Sequence, residues 1–104
     1  MAEGQLTERA RVVVIGGGIA GASVLYHLAK LGWKDCVLVE KAWLTAGSTW
    51  HAAGLCTQFN ASLPIIRTLK RSLDLYEELG ADSEIGVGLK RVGSLRLATS
   101  PDEL

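Results

Sequence analysis

The sequence predicts an α/β fold that opens on a βαβ unit of a parallel sheet. Three observations carry this prediction. The run Val12-Val13-Val14-Ile15 is short, continuous and branched, which suits a strand covered on both faces. It leads directly into Gly16-Gly17-Gly18-Ile19-Ala20-Gly21, where a helical pattern begins. A second apolar run, Cys36-Val37-Leu38-Val39, ends on the acid Glu40.

The first strand is expected over residues 11–15. Gly16, Gly18 and Gly21 match G-x-G-x-x-G, and each has a physical task. Gly16 permits the tight turn out of the strand. Gly18 lets the backbone approach a pyrophosphate without an intervening Cβ. Gly21 lets helix and strand pack closely. The helix starting here, with Ile19 and Ala20 in its first turn, aims unpaired N–H groups and its positive dipole end at the phosphates. It is expected over residues 18–31, with Gly32 as its stop. Ala22, Leu25, Leu28, Ala29 and Leu31 form the face toward the sheet. Ala20, Ser23, His27 and Lys30 lie opposite, so His27 reads as a solvated helix histidine. Trp33-Lys34-Asp35 turns the chain into the second strand, 36–39, giving a right-handed unit. Glu40 lies close to the roughly 20-residue offset of a ribose-binding acid, and its charge repels a 2′-phosphate. The whole order predicts a Rossmann-like FAD/NAD(P)-binding fold. The alternative is a βαβ unit whose turn is glycine-rich for packing alone, with Glu40 merely ending a strand on the surface.

From Lys41 the pattern changes. Small residues, hydroxyls and one histidine crowd into Ala46-Gly47-Ser48-Thr49-Trp50-His51-Ala52-Ala53-Gly54. A segment passing close to a flat, bulky cofactor uses small residues and backbone donors, which makes Gly47, Ser48, Thr49, Ala53 and Gly54 candidates for contact. Ser48 or Thr49 can cap a short helix. The spacing leaves His51 with two readings: a chemical group, or a helix-start histidine satisfied by a backbone carbonyl.

An amphipathic helix is expected over 63–79. Ile66, Leu69, Leu73 and Tyr76 form its stripe, Ser62 or Asn60 caps it, and Gly80 ends it. In the stretch 89–99, Leu95 and Leu97 alternate with Arg96, which predicts an extended segment with one buried face. Gly93-Ser94 would serve as a bulge or turn of a β-hairpin edge. Ser100-Pro101-Asp102-Glu103 reads as a capping box with proline at the first helical position. A dinucleotide-binding sheet needs five or six strands, and only two parallel ones are legible. The expected organisation is therefore a lead-in over residues 1–9 and, over 10–104, the N-terminal part of a truncated dinucleotide-binding domain of a longer enzyme, with an added helix and β-hairpin; the family resemblance given below makes this an FAD-binding domain without its substrate domain. Such a piece is not expected to fold alone.

Composition limits the function. Eleven basic and eleven acidic residues balance in 104 positions, so neither a nucleic-acid nor a membrane partner is expected. Residues 1–9 lack the apolar core of a secretion signal and carry Glu3 and Glu8, unlike an acid-poor transit peptide; a cytoplasmic location is the expectation. Cys36 and Cys56 form no C-x-x-C pair and read as buried thiols. No metal-ligand cluster is legible.

Several strings resemble one family. They are Val12 to Gly21, Tyr26-His27-Leu28 with Gly32-Trp33, Val39-Glu40-Lys41, Leu44-Thr45-Ala46-Gly47-Ser48-Thr49-Trp50-His51-Ala52-Ala53-Gly54-Leu55 and Gly93-Ser94-Leu95-Arg96-Leu97-Ala98-Thr99. Through them the chain resembles, over residues 10–104, the flavin-dependent amine oxidoreductases of the dimethylglycine and sarcosine dehydrogenase group, within the D-amino-acid-oxidase-like superfamily. The resemblance implies FAD bound by the glycine turn, Glu40 and Lys41, and carried covalently by His51 through the 8α carbon of the flavin ring. It implies oxidative N-demethylation of a small N-methyl amino acid, with an electron acceptor to reoxidise the flavin. The one-carbon product would be formaldehyde or a unit passed to tetrahydrofolate in a C-terminal domain. The family's substrate-binding residues come later in the chain, so no catalytic residue is named. Three other readings stand beside it. A regulatory subunit of pyruvate dehydrogenase phosphatase resembles the same family, and that branch lacks the linking histidine. An NAD-linked dehydrogenase would continue with a regular βα repeat after Glu40. A member with non-covalent FAD would keep His51 only as a neighbour of the ring.

Overall fold

The computed structural model describes residues 9–84 and 86–103. The chain divides into two compact units, one ending at Ala53 and the other beginning at Gly54.

The first unit is the expected βαβ. Strand β1 (Val12–Ile15) pairs in parallel with β2 (Cys36–Val39), in the register Val12 to Cys36 through Ile15 to Val39. Helix α1 (Ile19–Lys30) connects them. The pairing extends beyond both ends, since the Arg11 amide donates to the Asp35 carbonyl at 2.9 Å and the Gly16 amide to the Val39 carbonyl at 2.8 Å. Helix α1 ends in a Schellman motif. The Trp33 N–H donates to the Leu28 carbonyl and the Gly32 N–H to the Ala29 carbonyl. Gly32 takes the left-handed conformation that this motif requires, with φ +81°. The Arg11 guanidinium lies over the Trp33 ring, 4.4 Å from its centroid, and closes the unit beside that cap.

Two expectations for this unit need correction. β1 is covered on one face only. Val12 and Val14 are half-buried, whereas Ile15 is 87% exposed. A parallel strand becomes buried on both faces when helices lie on both sides, and α1 covers one side. The helix face is also rotated from the expected one. Gly21, Ser23, Leu25, His27 and Leu28 are half-buried, while Ala22, Ala29 and Leu31 are exposed. Gly21 sets this rotation, because it is the residue that meets the strand. His27 is therefore not simply solvated. Its Nδ1 donates to the Ser23 carbonyl at 2.7 Å, and its ring meets Tyr26 edge-on.

The second unit holds α2 (Leu63–Asp82) and a 3-10 turn, Pro101–Glu103. The Ser62 N–H donates to the Asn60 side-chain oxygen at 3.0 Å, so Asn60 organises the turn into the helix while Ser62 takes the N-cap position. The stripe is as expected, with Ile66, Leu69 and Tyr76 half-buried and Leu73 only 7% exposed. Gly80 does not stop the helix, which continues to Asp82. An interior glycine costs only about 1 kcal/mol against alanine, and here its missing side chain is used. A Cβ at Gly80 would meet Val87 Cγ2 at 3.2 Å.

The expected hairpin over 89–99 is not formed. None of these residues is paired as a strand, and Leu95 and Leu97 are 88% and 80% exposed. Alternation creates an apolar face, but a strand also needs a neighbour for its N–H and C=O groups, and the described residues supply none. Arg91 instead ties the segment to α2 through Asp74 and Glu77. Lys70 and Arg91 hold the Asp74 carboxyl below the usual range, the Lys70 hydrogen bond contributing most. The Arg96 guanidinium stacks on Phe59, 3.6 Å from the ring centroid. The thiols are also less buried than expected, with Cys36 half-buried and Cys56 exposed.

Candidate functional site

The site forms where β1 enters α1. Gly16 leaves the strand with φ +108°, a conformation that strongly favours glycine. Gly21 meets the backbone of the same turn. A Cβ there would lie 1.9 Å from the Gly16 carbonyl oxygen and 3.0 Å from its carbonyl carbon. The close helix–strand approach assigned to Gly21 is thus present. The first α-helical bond runs from the Ala22 N–H to the Gly18 carbonyl. The Ala20 and Gly21 amides lie ahead of it, at the end of the helix where amides have no partner within the helix. No acidic residue stands in the first turn, so nothing there repels an anion.

Gly17 is the residue that the motif does not single out. It is buried, and both of its backbone groups are engaged. Its N–H donates to Glu40 Oε2 at 2.7 Å, and its carbonyl accepts from the Thr45 N–H at 2.9 Å. A Cβ would meet Leu44 Cδ2 at 2.8 Å and Glu40 Cβ at 3.1 Å. The signal in the sequence was the middle glycine of three in a row, at a position where the motif allows any residue.

Glu40 stands at the end of β2, half-buried, with its carboxylate turned back onto the glycine turn. Its Oε2 holds Gly17 and its Oε1 accepts the Ala42 N–H at 3.0 Å. These two amides, Gly17 first, hold the carboxyl below the usual glutamate range. An ionised carboxylate offers about four lone-pair sites. Two amides leave room for ribose hydroxyls on both oxygens. Glu40 therefore organises the turn through both of its oxygens. Lys41 is exposed, and its backbone amide adds to the same depression.

The loop after Glu40 is tied to α1 by a side chain 30 residues away. Thr49 Oγ1 accepts the Ile19 N–H at 3.0 Å. Gly18 occupies the N-cap position but has no side chain to cap with. Thr49 therefore caps α1, not a helix of its own. The same hydroxyl would lie 2.9 Å from a Cβ on Gly18, so the missing side chain of Gly18 leaves space for the threonine. Thr45 has φ +69°, an outlier for a β-branched residue. It donates to Gly17 and accepts the Trp50 N–H at 3.2 Å.

His51 sits on a compact turn. The Trp50 N–H donates to the Gly47 carbonyl at 3.2 Å, the His51 N–H to Ser48 at 3.1 Å and the Ala52 N–H to Thr49 at 3.3 Å. The imidazole folds back so that Nδ1 lies 3.1 Å from the same Gly47 carbonyl. A carbonyl can only accept, so Nδ1 carries the proton and a neutral ring keeps its lone pair on Nε2. The ring is exposed. The carbonyl contact that a structural histidine would make thus coexists with an accessible nucleophilic nitrogen. Gly47, Ser48 and Ala53 are exposed, and a Cβ at Gly47 or at Gly54 would meet nothing within 4 Å. Among the described residues there is no group of three or more His, Cys, Asp or Glu able to hold a metal ion, and no helix long and apolar enough to cross a membrane.

The donors suit a dinucleotide: unpaired helix amides without a competing acid, a glycine turn without side chains, and a carboxylate with spare acceptor sites. Comparison with known proteins agrees. Residues 11–104 match the family model described as FAD dependent oxidoreductase. Human dimethylglycine dehydrogenase, mitochondrial, is 52% identical over 100 residues, which cover 96% of this chain and 12% of that protein. Human sarcosine dehydrogenase, mitochondrial, is 40% identical over 100 residues, covering 95% and 11%. The mouse pyruvate dehydrogenase phosphatase regulatory subunit, mitochondrial, is 42% identical over 99 residues, again covering 95% and 11%.

Proposed function

The chain belongs to the FAD dependent oxidoreductase family, and from that premise we propose that the full-length protein oxidises the C–N bond of a small N-methyl amino acid. FAD is bound on the glycine turn and attached covalently to His51. The observation that carries this reading is the His51 ring itself, exposed and held by the Gly47 carbonyl with its lone pair on Nε2. The likeness to dimethylglycine and sarcosine dehydrogenases supports the substrate class.

Bound FAD supplies the two-electron acceptor; the protein supplies binding, orientation and electrostatics. The Ala20 and Gly21 amides face the pyrophosphate, with Gly16 and Gly18 giving backbone access. Glu40 accepts from the ribose hydroxyls while its other lone pairs keep Gly17 in place. Ile19, Lys41, Gly47, Ser48, Thr49, Ala53 and Gly54 complete the proposed contacts. His51 Nε2 is the attachment nitrogen, because Nδ1 is committed to Gly47. A hydride equivalent leaves the N-methyl carbon. Water then releases that carbon as formaldehyde, or it passes to tetrahydrofolate on a separate domain. Product analysis with and without tetrahydrofolate separates these routes. An external acceptor removes the electrons. The cytoplasmic expectation meets relatives that are named mitochondrial, and fractionation of cells expressing the full-length protein decides the compartment.

The test of attachment is acid denaturation of the full-length protein followed by separation from small molecules. Flavin fluorescence that stays with the protein, and is lost in His51→Ala, supports the reading. Flavin released entirely into the small-molecule fraction would reduce His51 to a neighbour of the ring. Absence of flavin from both fractions would favour a regulatory role, as named for the mouse phosphatase subunit, or an NAD-binding module.

A further inference from the structure

We propose that Thr49 is the positioning residue for His51, fixing the attachment nitrogen relative to the glycine turn. The inference rests on the covalent reading above. The turn that carries His51 closes on itself through Gly47, Ser48 and Thr49. Those bonds define its shape but not its location. Two bonds locate it. The Thr45 N–H donates to the Gly17 carbonyl at the start of the segment. The Thr49 hydroxyl accepts the Ile19 N–H two residues before the histidine. The first is made by backbone alone and is available to any residue at 45 other than proline. The second needs a hydroxyl, because only a side-chain oxygen reaches the helix N-terminus from that position. Gly18 leaves the space that this approach requires.

The consequence is a division of labour. The glycine turn and Glu40 govern how strongly the dinucleotide is held. Thr49 governs where the Nε2 lone pair stands, and hence how fast a covalent bond forms once the dinucleotide is in place, since such reactions depend steeply on alignment. In that step a bond from Nε2 to the flavin 8α carbon would form as a C–H bond of that carbon breaks, its proton leaving to solvent and its electron pair reducing the flavin, which dissolved dioxygen or another external acceptor would reoxidise. Serine keeps the hydroxyl, whereas valine keeps the shape and removes the acceptor.

The experiment uses full-length protein produced flavin-free, to which FAD is added. Total bound flavin is read from absorbance before acid treatment, and covalent flavin from the fluorescence of acid-precipitated protein over time. Thr49→Val is expected to slow covalent attachment by about fivefold, the worth of one net hydrogen bond. Because Thr49 also caps α1 and is a proposed cofactor contact, a lower melting temperature and a weaker FAD affinity are expected beside this. The rate is therefore read at saturating FAD, where total bound flavin equals that of wild type, and Thr49→Ser should restore it. Attachment by Thr49→Val at the wild-type rate overturns the proposal. So does a serine variant as slow as the valine one, or a valine variant whose rate returns to the wild-type value once FAD is saturating, which would make Thr49 a binding residue only. If Thr49→Val does not fold, Thr49→Ser against Thr49→Ala makes the same comparison. Wild-type protein with bound but entirely non-covalent flavin defeats the covalent reading itself, and the proposal with it.

Discussion

Gly21→Ala puts two effects of opposite sign in competition. Alanine is the better helix former by about 1 kcal/mol, so an ordinary glycine inside α1 would gain stability from the change. Here the new Cβ would stand 1.9 Å from the Gly16 carbonyl oxygen. Restoring normal contact requires a separation of about 3.4 Å, so helix and turn must part by about 1.5 Å, one full residue of helical rise. The obstructing atom is backbone, on a turn whose next residue is held by Glu40 and Thr45, so no side-chain rotation relieves the clash. Overpacking of this kind costs about 1–3 kcal/mol or more, and the clash wins. The expected net loss of about 2 kcal/mol corresponds to about a thirtyfold fall in the fraction of competent turn. The assay is a urea melt of the flavin-free full-length protein, paired with an FAD titration. Gly47→Ala is the control for stability, because its Cβ meets nothing, and the wild-type protein is the reference for FAD affinity. A Gly21→Ala protein as stable as Gly47→Ala, with wild-type FAD affinity, would refute the close-approach argument.

Glu40→Ala, made in a His51→Ala background so that no covalent bond hides the effect, should weaken FAD binding and loosen the turn. Equal affinity of the single and double variants would make Glu40 dispensable to both. The Gly17 and Ala42 amides lower the Glu40 carboxyl, so its contribution is fully present above the ordinary glutamate value and is lost as pH falls through the depressed folded one. FAD affinity in the His51→Ala protein should therefore hold from neutral pH to below the usual carboxylate range, and an earlier acid decline would contradict the two-amide clamp. Thr45→Gly should remove a strained left-handed conformation worth about 1 kcal/mol without breaking the backbone bond to Gly17. A higher melting temperature with unchanged FAD binding is the expected result, and a lower one would show that the threonine side chain holds the loop.

The local elements of the first unit were legible because each is written in neighbouring residues. Val12 to Ile15, the helix to Lys30 and Cys36 to Val39 all appear within a residue of their expected bounds. The glycine turn and the acid at the end of β2 are legible as residue types at given spacings, whereas spacing leaves His51 with two readings. The hold of Glu40 on the Gly17 amide is not, since a free carboxylate oxygen and one engaged by an amide 23 positions back look alike in a sequence. Thr49 was read as a cap for its own segment, because capping is a local rule, and its partner amide lies 30 positions back. The 89–99 stretch failed for a related reason. Alternation describes one face of a strand, whereas pairing is a property of two, and Leu95 and Leu97 have no partner strand among the described residues. Gly80 was read as punctuation and is instead a packing surface for Val87.

The clamp on Gly17 also bears on the order in which the protein can be made. Synthesis delivers the glycine turn first and extends the chain at about 5–20 residues per second. The carboxylate that holds the Gly17 amide follows 23 positions later, and the hydroxyl that caps α1 follows 30 positions after Ile19. Strand, turn and helix can emerge from the ribosome as a unit, yet the Gly17 and Ile19 amides meet these partners only after Glu40 and Thr49 have also left the tunnel. A nascent chain that ends before Thr49 therefore leaves the Ile19 amide without its cap.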